Sequence, residues 1–281
     1  MKLKILSISK TESGSMELPK QFSEPIRSDL IKRAVEVIRA NKRQPYGADP
    51  QAGKKHSAEL SRRRRKYRGS YGHGISRVPR KIHTRRGTRF FWVAAMAPGT
   101  VGGRRAHPPK AEKEWEKKIN SKERRKAIRS AISATVNREI VEKRGHKIPQ
   151  EYPFIIEDKF EDLSKTKEVK EALETLGMKE DLIRALARTF RAGVSRLRGR
   201  KYRVPKSVLF VVSKDCKLSK SAKNLPGVEV ISVQNLNAEI LAPGAEIGRA
   251  TLFTKSAIER MEKENLFFEK KKVVSQWILP M

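Results

Sequence analysis

The sequence predicts an α/β fold: a single globular domain with a mostly parallel sheet flanked by helices, plus a long irregular basic internal loop. Short apolar runs alternate with helical patterns on both sides of that loop, an order typical of parallel sheets with helices on their faces. Within the loop, apolar residues recur with neither the spacing of a helix nor the alternation of a strand. We therefore assign residues 1–41 and 111–264 to the globular domain, 42–110 to the inserted loop, and 265–281 to a C-terminal tail.

The amino-terminal part of the domain is predicted to form one strand and one helix. The strand covers residues 2–9. Ser28 is a suitable N-cap for the helix, because its hydroxyl can accept a hydrogen bond from a free backbone N–H. The helix then carries one apolar face. That face consists of Leu30, Ile31, Ala34, Val35 and Ile38.

After the loop, predicted helices and strands follow one another to the end of the domain. Ser121 is predicted to cap a long helix and Thr254 to cap the last one. Their apolar faces are Ile128, Ala131, Ile132, Val136 and Ile140 in the first helix, and Ala257, Ile258 and Met261 in the last. Between them we predict strands at 154–156, 208–212 and 228–233 and helices near 167–176 and 181–190.

The net charge restricts the class of partner. The chain has 64 Lys and Arg against 31 Asp and Glu, a formal charge of +33, and such self-repulsion is tolerated when a polyanion neutralises it. No membrane partner is expected, because the longest apolar run has eight residues, 90–97, against roughly 20 for a spanning helix. The partner is therefore expected to be nucleic acid. The single cysteine, Cys216, excludes an intrachain disulfide framework, and a reducing cytoplasmic location is expected.

The charge is concentrated in the internal loop. Residues 41–110 contain 19 Lys and Arg with only Asp49 and Glu59 as acids, and they hold nine glycines, six prolines and four histidines. Glycine and proline at this density interrupt helices and strands. A long irregular loop is uncommon in a compact domain unless it is functional or disordered. We expect this segment to fold against its partner.

Arginines and aromatic residues of the loop are the candidate nucleic-acid contacts. The planar arginine fork pairs with phosphate and stacks on bases, and aromatic rings stack on unpaired RNA bases. The predicted contacts are Arg62, Arg63, Arg64, Arg65, Lys66, Tyr67, Arg68, Tyr71, His73, Arg77, Arg80, Lys81, Arg85, Arg86, Arg89, Trp92, Arg104 and Arg105.

An apolar run at residues 90–97 interrupts the basic loop. One interpretation is a short core strand of the globular domain. The other is a wedge that packs against RNA or a neighbouring protein. The arginines and glycines on both sides of the run favour the wedge.

A second basic stretch, residues 182–214, contains no acidic residue. Its apolar residues follow helical spacing and are predicted to be core, with the arginines on the outer face. The predicted core residues are Leu182, Ile183, Leu186, Phe190, Val194 and Leu197. The further predicted nucleic-acid contacts are Arg196, Arg198, Arg200, Lys201 and Arg203.

Signatures of an enzyme are weak. Residues 47–54 have five residues between their glycines and Lys55 where a phosphate-binding loop needs Ser or Thr. The histidines at 56, 73, 83 and 107 are spaced too irregularly for a metal site. No catalytic constellation emerges, and we predict no catalytic residue, no metal and no cofactor.

Four stretches resemble one known family. They are the loop sequence from RKYRGSYGHG to GGRRAHPP, then INSKERRKAIRSAISATVNREIVEKRGHKIP, FIIEDKFEDLSKTKEV and RGRKYRVPKSVLFVV. Together they resemble large ribosomal subunit protein four, in the archaeal and eukaryotic branch. The loop departs from the eukaryotic pattern, which has a glycine-richer stretch in place of IHTRRGTRFFWVAAMA. The archaeal branch therefore fits better.

The resemblance implies a structural constituent of the large ribosomal subunit. It further implies primary binding to 23S-type ribosomal RNA early in assembly. The internal loop would form part of the polypeptide exit tunnel wall, near protein twenty-two and the nascent peptide. Two alternatives remain open: a translational regulator that binds an mRNA leader, and an RNA-processing enzyme.

Overall fold

The computed structural model describes residues 1–268. The chain divides into two compact units. The globular unit consists of Met1–Asn41 and the chain from Glu116 onward, and the loop unit consists of Lys42–Trp115. Of the predicted C-terminal tail, residues 269–281 lie outside the described part of the chain.

The globular unit contains a six-stranded sheet. In chain order, the strands within residues 1–268 are β1 (Lys2–Leu6), β2 (Glu12–Glu17), β3 (Arg80–Arg86), β4 (Arg89–Ala94), β5 (Ile155–Ile156), β6 (Thr189–Phe190), β7 (Tyr202–Arg203), β8 (Leu209–Val212), β9 (Glu229–Ser232) and β10 (Thr251–Thr254). The sheet has the order β2-β1-β5-β10-β8-β9. Only the β1–β2 pair is antiparallel; the remaining neighbours are parallel. The predicted α/β class with a mostly parallel sheet is confirmed.

Helices cover both faces of this sheet. The helices of the globular unit are α1 (Ser28–Asn41), α2 (Ser121–Val136), α3 (Arg138–Lys143), α4 (Thr166–Thr175), α5 (Lys179–Leu186), α6 (Val194–Leu197), α7 (Leu218–Ser221), α8 (Ala238–Leu241) and α9 (Lys255–Lys263). Of these, α6 buries no residue. The predicted cap of the last helix is confirmed, because the Thr254 hydroxyl accepts a hydrogen bond from the backbone N–H of Ala257 at 3.3 Å. This cap begins α9 directly after β10.

Alternation along the strands divides the core into two clusters. Ile155, Val211 and Phe253 pack with residues of α1, α2 and α9 in one cluster. Their chain neighbours Ile156 and Val212 pack with α4, α5 and α7 in the other. Successive side chains of a strand point to opposite faces, so a sheet covered on both faces needs continuous apolar runs such as residues 208–212.

Several predicted boundaries were wrong. The first strand ends at Leu6, and a second strand, β2, returns beside it. Asn120 and not Ser121 is the N-cap of α2, and its side chain forms no capping hydrogen bond. The predicted face of that helix extends to Ile140, but Asn137 adopts an extended conformation and caps a separate helix, α3. The apolar spacing predicted one continuous helix, but the capping residue Asn137 ends α2 and begins α3.

The loop unit contains regular structure that the sequence analysis did not predict. Strands β3 and β4 form an antiparallel hairpin in which Ile82 lies opposite Trp92 and Arg86 opposite Arg89. The register shifts between Ile82 and Thr84, so a bulge interrupts the two-residue period and conceals it. The apolar run 90–97 thus begins with a strand of the loop unit, and its interpretation as a core strand of the globular domain was wrong.

Candidate nucleic-acid interface

A row of aromatic side chains lies along one side of the β3–β4 hairpin. The rings of Phe90 and Trp92 stack with centroids 5.5 Å apart and an interplanar angle of 17°. Tyr67 meets Phe90 edge-on at 5.3 Å, and His73 meets Trp92 edge-on at 6.1 Å. Such offset and edge-on pairs are the favourable arrangements of aromatic rings. The hairpin therefore brings together three predicted contact residues, Tyr67, His73 and Trp92.

Guanidinium groups contact Tyr67 of this row and also Tyr71. Arg85 donates a hydrogen bond to the hydroxyl of Tyr67. The guanidinium carbons of Arg64 and Arg77 each lie 5.9 Å from the centre of the Tyr71 ring. Cations at this distance are attracted by the ring quadrupole. The arrangement alternates cations with flat apolar surfaces, as phosphate and base contacts require.

The densest arginine run is exposed to solvent. Residues 62–68 are all exposed, and Lys66 is paired with Glu59. Among the residues that the structure describes, Arg62, Arg63 and Arg65 form no ion pair with an acidic side chain. These three guanidinium groups are free to bind phosphate.

Some predicted contacts instead support the local structure. Arg80 donates hydrogen bonds to the carbonyl oxygen of Ser76 at 2.5 Å, to its hydroxyl at 3.1 Å and to the carbonyl oxygen of Val78 at 3.3 Å. It therefore holds the turn that precedes β3. Lys81, Trp92 and Arg104 are half-buried. Outside the run 62–68, the exposed predicted cations of this unit are Arg77, Arg85, Arg86, Arg89 and Arg105.

The opposite face of the hairpin exposes apolar surface. Phe91 is 44% exposed and Val93 is 50% exposed. The guanidinium carbon of Arg89 lies 5.3 Å from the Phe91 ring centre. This face has the chemistry expected of the predicted wedge, apolar at its centre and basic at its edge.

The second basic stretch does not form the helix that its spacing predicted. Leu182 is buried, but Ile183, Leu186, Phe190, Val194 and Leu197 are between 57% and 86% exposed, so their assignment to the core was wrong. Helix α5 ends at Leu186, and the chain turns into the antiparallel pair β6–β7. No single helix therefore carries this apolar spacing. We call residues 187–206 the basic segment.

Cations and rings also pair in the basic segment. The guanidinium carbon of Arg188 lies 4.2 Å from the Tyr202 ring centre, and the Lys201 Nζ atom lies 5.6 Å from the ring centres of both Phe190 and Tyr202. The predicted contacts here, namely Arg196, Arg198, Arg200, Lys201 and Arg203, are all exposed. The globular unit thus carries a basic surface of its own.

A buried polar cluster anchors both ends of the basic segment. Asp181, which is fully buried, accepts hydrogen bonds from Arg184 Nε at 2.9 Å and from the Ser207 hydroxyl at 2.5 Å. Arg184 also donates to the carbonyl oxygen of Lys206 at 2.7 Å. The fully buried Arg249 donates to the Ser207 carbonyl oxygen at 3.1 Å. Sequence patterns gave no signal for this cluster, because its members are distant along the chain.

The electrostatics of this cluster shift two pKa values. Burial disfavours ionisation of Asp181, but hydrogen bonds from His146, Arg184 and Ser207 outweigh it and lower the pKa of the carboxyl to about 2. Burial lowers the pKa of His146 below its ordinary value, against the opposing effect of Asp181. At neutral pH the cluster therefore holds an ionised carboxylate.

An aromatic cluster in the loop unit was missed by the sequence analysis. The rings of Tyr46 and Trp115 stack at 5.4 Å, and the guanidinium carbon of Arg43 lies 3.8 Å from the Trp115 ring centre. Lys113 lies over the same ring at 4.6 Å. Aromatic residues beside cations at the two ends of the loop were the available signal.

The described part of the chain also bears on two further kinds of site, metal sites and membrane spans. Within residues 1–268, no three His, Cys, Asp or Glu side chains are grouped so that they could hold a metal ion. Nor does this part contain a helix long and apolar enough to cross a membrane.

Comparison with known proteins identifies the family. A family model described as "Ribosomal protein L4/L1 family" matches residues 16–264, which is most of the chain. The chain belongs to this family. The match includes the whole loop unit, so the basic loop lies within the family's matched region.

Individual relatives align with this chain along nearly their whole length. A protein of Nanoarchaeum equitans named "Large ribosomal subunit protein uL4" is 48% identical over 269 residues, which cover 95% of this chain and 100% of that protein. Proteins of the same name from Archaeoglobus fulgidus and Halobacterium salinarum are 45% and 44% identical, over 92% and 93% of this chain and 97% and 99% of theirs. The predicted resemblance to protein four, in its archaeal branch, is confirmed.

Proposed function

We propose that this chain is a structural constituent of the cytoplasmic large ribosomal subunit, where it binds 23S-type ribosomal RNA and acts as no enzyme. The observation that carries this proposal is the exposed arginine run beside the aromatic row of the hairpin, in which Arg62, Arg63 and Arg65 form no ion pair with an acidic side chain of residues 1–268. Membership of the L4/L1 family and the name of the relatives support it.

The predicted internal loop and the predicted globular domain are proposed to divide the binding. Phosphate contacts position a protein on its nucleic acid, whereas contacts to bases depend on local shape. Residues 42–110 supply the larger share, with the arginine run and the aromatic row. Residues 1–41 and 111–264 supply the basic segment with Arg196, Arg198, Arg200, Lys201 and Arg203. The resulting footprint supports primary binding to RNA early in subunit assembly.

The distal part of the loop is proposed to form part of the polypeptide exit tunnel wall. The family resemblance supports this placement, beside protein twenty-two and the nascent peptide. The exposed apolar face of the hairpin, with Phe91 and Val93, agrees with a surface that becomes covered in an assembly. Irregular backbone in the loop would have its polar groups satisfied by RNA.

Crosslinking of assembled large subunits, with identification of the crosslinked nucleotides, tests the proposal. Crosslinks from residues 62–92 to nucleotides of 23S-type RNA that line the tunnel are expected. Crosslinks confined to the outer surface of the subunit would contradict the tunnel placement. Absence of the chain from purified subunits would contradict the function as a whole.

A regulatory role is the second candidate, since the same arginine run could bind an mRNA leader. RNA that co-purifies with the tagged chain from cells distinguishes the two. For a structural constituent, we expect the co-purified RNA to be ribosomal RNA. Enrichment of one mRNA over ribosomal RNA would favour the regulator.

A further inference from the structure

A cleft in the loop unit lies where the two segments at the ends of the loop run side by side. Its volume is about 780 Å³, within the range of ~300–1,000 Å³ that is typical of small-molecule sites. One wall comes from residues 48–54 and the other from residues 104–112. None of the predicted contact residues lines it except Arg104 and Arg105.

Close backbone contacts build the walls of the cleft. The backbone N–H of Ala48 donates a hydrogen bond to the carbonyl oxygen of Pro109 at 3.0 Å. Gly53 has a φ of +74°, and a Cβ at this position would collide with the backbone of Arg104. Glycine is needed at such a position, both for the positive φ and for the close approach. The two walls are therefore joined at each end, and the cleft is formed without a ligand.

The lining combines small apolar surfaces with cations. Pro50, Ala52, Ala106, Pro108 and Pro109 supply flat apolar surface. The cations are Lys54, Arg104, Arg105 and Lys110. Within residues 1–268, the side chains of these four cations form no hydrogen bond or ion pair with another residue.

The acidic residues of the lining do not cancel this charge. Asp49 is paired with Lys55 at 2.6 Å and accepts a hydrogen bond from the backbone N–H of Gln51 at 3.0 Å. It therefore closes the turn of one wall. Glu112 is then the one remaining carboxylate of the lining, against four cations. The cleft fits a ligand with a flat apolar body and an attached anion.

We propose that this cleft binds a single unpaired nucleotide of RNA, with its base between the proline and alanine walls and its phosphates against Arg104 and Arg105. The inference rests on the proposed RNA-binding function and adds a base-binding site to it. Proteins recognise RNA mainly at unpaired bases that are turned out of a helix. Such a base can be held between apolar side chains, and arginine forks hold its phosphates.

Variants that fill the cleft test this inference in the full chain bound to 23S-type RNA. Ala106→Trp fills it from one wall and Ala52→Phe from the other, and both positions are exposed, so either substitution can be accommodated. Val101→Trp is the matched control, because Val101 is fully exposed and does not line the cleft. Circular dichroism checks that each variant is folded.

Dimethyl sulfate probing of unpaired adenine and cytosine bases is the readout. The wild-type chain and Val101→Trp should protect the same unpaired base, and both cleft-filling variants should restore its reactivity. The affinity of these variants should fall about 10-fold or more, because the stacked base and its phosphate contacts with Arg104 and Arg105 are lost together.

The possible outcomes distinguish failure of the nucleotide site from failure of the proposed RNA-binding function. Wild-type footprint and affinity in both cleft-filling variants would overturn the nucleotide site while leaving RNA binding intact. An equal loss of affinity in Val101→Trp would also overturn it, because the effect would not depend on the cleft. Failure of the wild-type chain to bind the RNA would overturn the proposed function itself.

Discussion

The hydroxyl of Ser207 donates a 2.5 Å hydrogen bond to Oδ2 of Asp181, and both side chains are fully buried. Asp181 lies in α5, and Ser207 stands two residues before β8. One carboxylate therefore connects the two places where the basic segment leaves and rejoins the globular unit. The segment itself contributes little to the core, so we infer that this anchor holds its ends in place.

Replacement of Asp181 by Asn should destabilise the protein in a pH-dependent way. The carboxyl has a pKa of about 2 in the folded state against an ordinary value of 3.8. Its stabilisation is therefore fully present above about pH 4 and is lost as the pH falls towards 2. At pH 7, Asp181→Asn should lower the free energy of unfolding by about 2–3 kcal/mol. As the pH falls from about 4 to about 2, the stabilities of the wild type and the variant should converge, as measured by guanidinium denaturation.

Protonation of His146 should also lower the free energy of unfolding as the pH falls. Burial lowers its folded-state pKa below 6.5, so the unfolded chain takes up the proton first and stability falls with acid below about that pH. Asp162→Asn is the control, because Asp162 is exposed; its curve should follow the wild type. A curve for Asp181→Asn that runs parallel to the wild type from pH 7 to pH 2 would contradict this account of the cluster.

Substitution of two leucines in the second basic stretch should have different effects on the free energy of unfolding. Leu182 is 6% exposed and Leu197 is 86% exposed. Leu182→Ala should lower the free energy of unfolding by about 2–4 kcal/mol, because it leaves a cavity in the core. Leu197→Ala should change it by less than about 0.5 kcal/mol, as exposed sites do. Equal losses from the two substitutions in urea denaturation would restore the helical interpretation of this stretch.

Elements that depend on local patterns could be predicted from the sequence. Thr254 caps α9 as expected, because a cap needs only a hydroxyl and a following helical residue. Phe190 and Leu197 were misplaced, since periodicity does not show where a helix ends. The β3–β4 hairpin was missed because its bulge breaks the alternation. The Asp181 cluster and the cleft depend on contacts between distant residues, which spacing along the chain does not contain.

Trypsin should cut the free protein first in residues 62–68. That run is exposed and lies outside the hairpin strands, whereas Arg80 to Arg89 lie in or next to the β3–β4 pair. A protease needs a locally unfolded substrate, so the strands should be cut later. Mass spectrometry of early fragments gives the order of cleavage. Initial cleavage within Arg80–Arg86 would mean that the hairpin is not formed without RNA, and added 23S-type RNA should protect both regions.

Deletion of residues 71–99 should leave assembly intact while altering the tunnel wall. The deletion removes six basic side chains: Arg77, Arg80, Lys81, Arg85, Arg86 and Arg89. The run 62–68 and the basic segment remain, and their phosphate contacts add roughly independently. Large subunits purified from cells that make only the shortened chain should contain it in normal stoichiometry by mass spectrometry. Subunits that are otherwise complete but lack the chain would show that the distal hairpin is needed for docking.

The salt dependence of RNA binding shows whether the arginine run 62–65 contacts the RNA backbone. Full-length wild type and a variant with Arg62, Arg63, Arg64 and Arg65 replaced by Ala are titrated with 23S-type RNA at several salt concentrations. The control replaces Lys159, Lys165, Lys167 and Lys170, four lysines that are already paired with glutamates. Because each phosphate contact contributes about 0.7–0.9 to the log–log slope, the arginine variant should lose about three units and the control almost none. An unchanged slope in the arginine variant, or an equal loss in the control, would contradict the proposal that this run binds the RNA backbone.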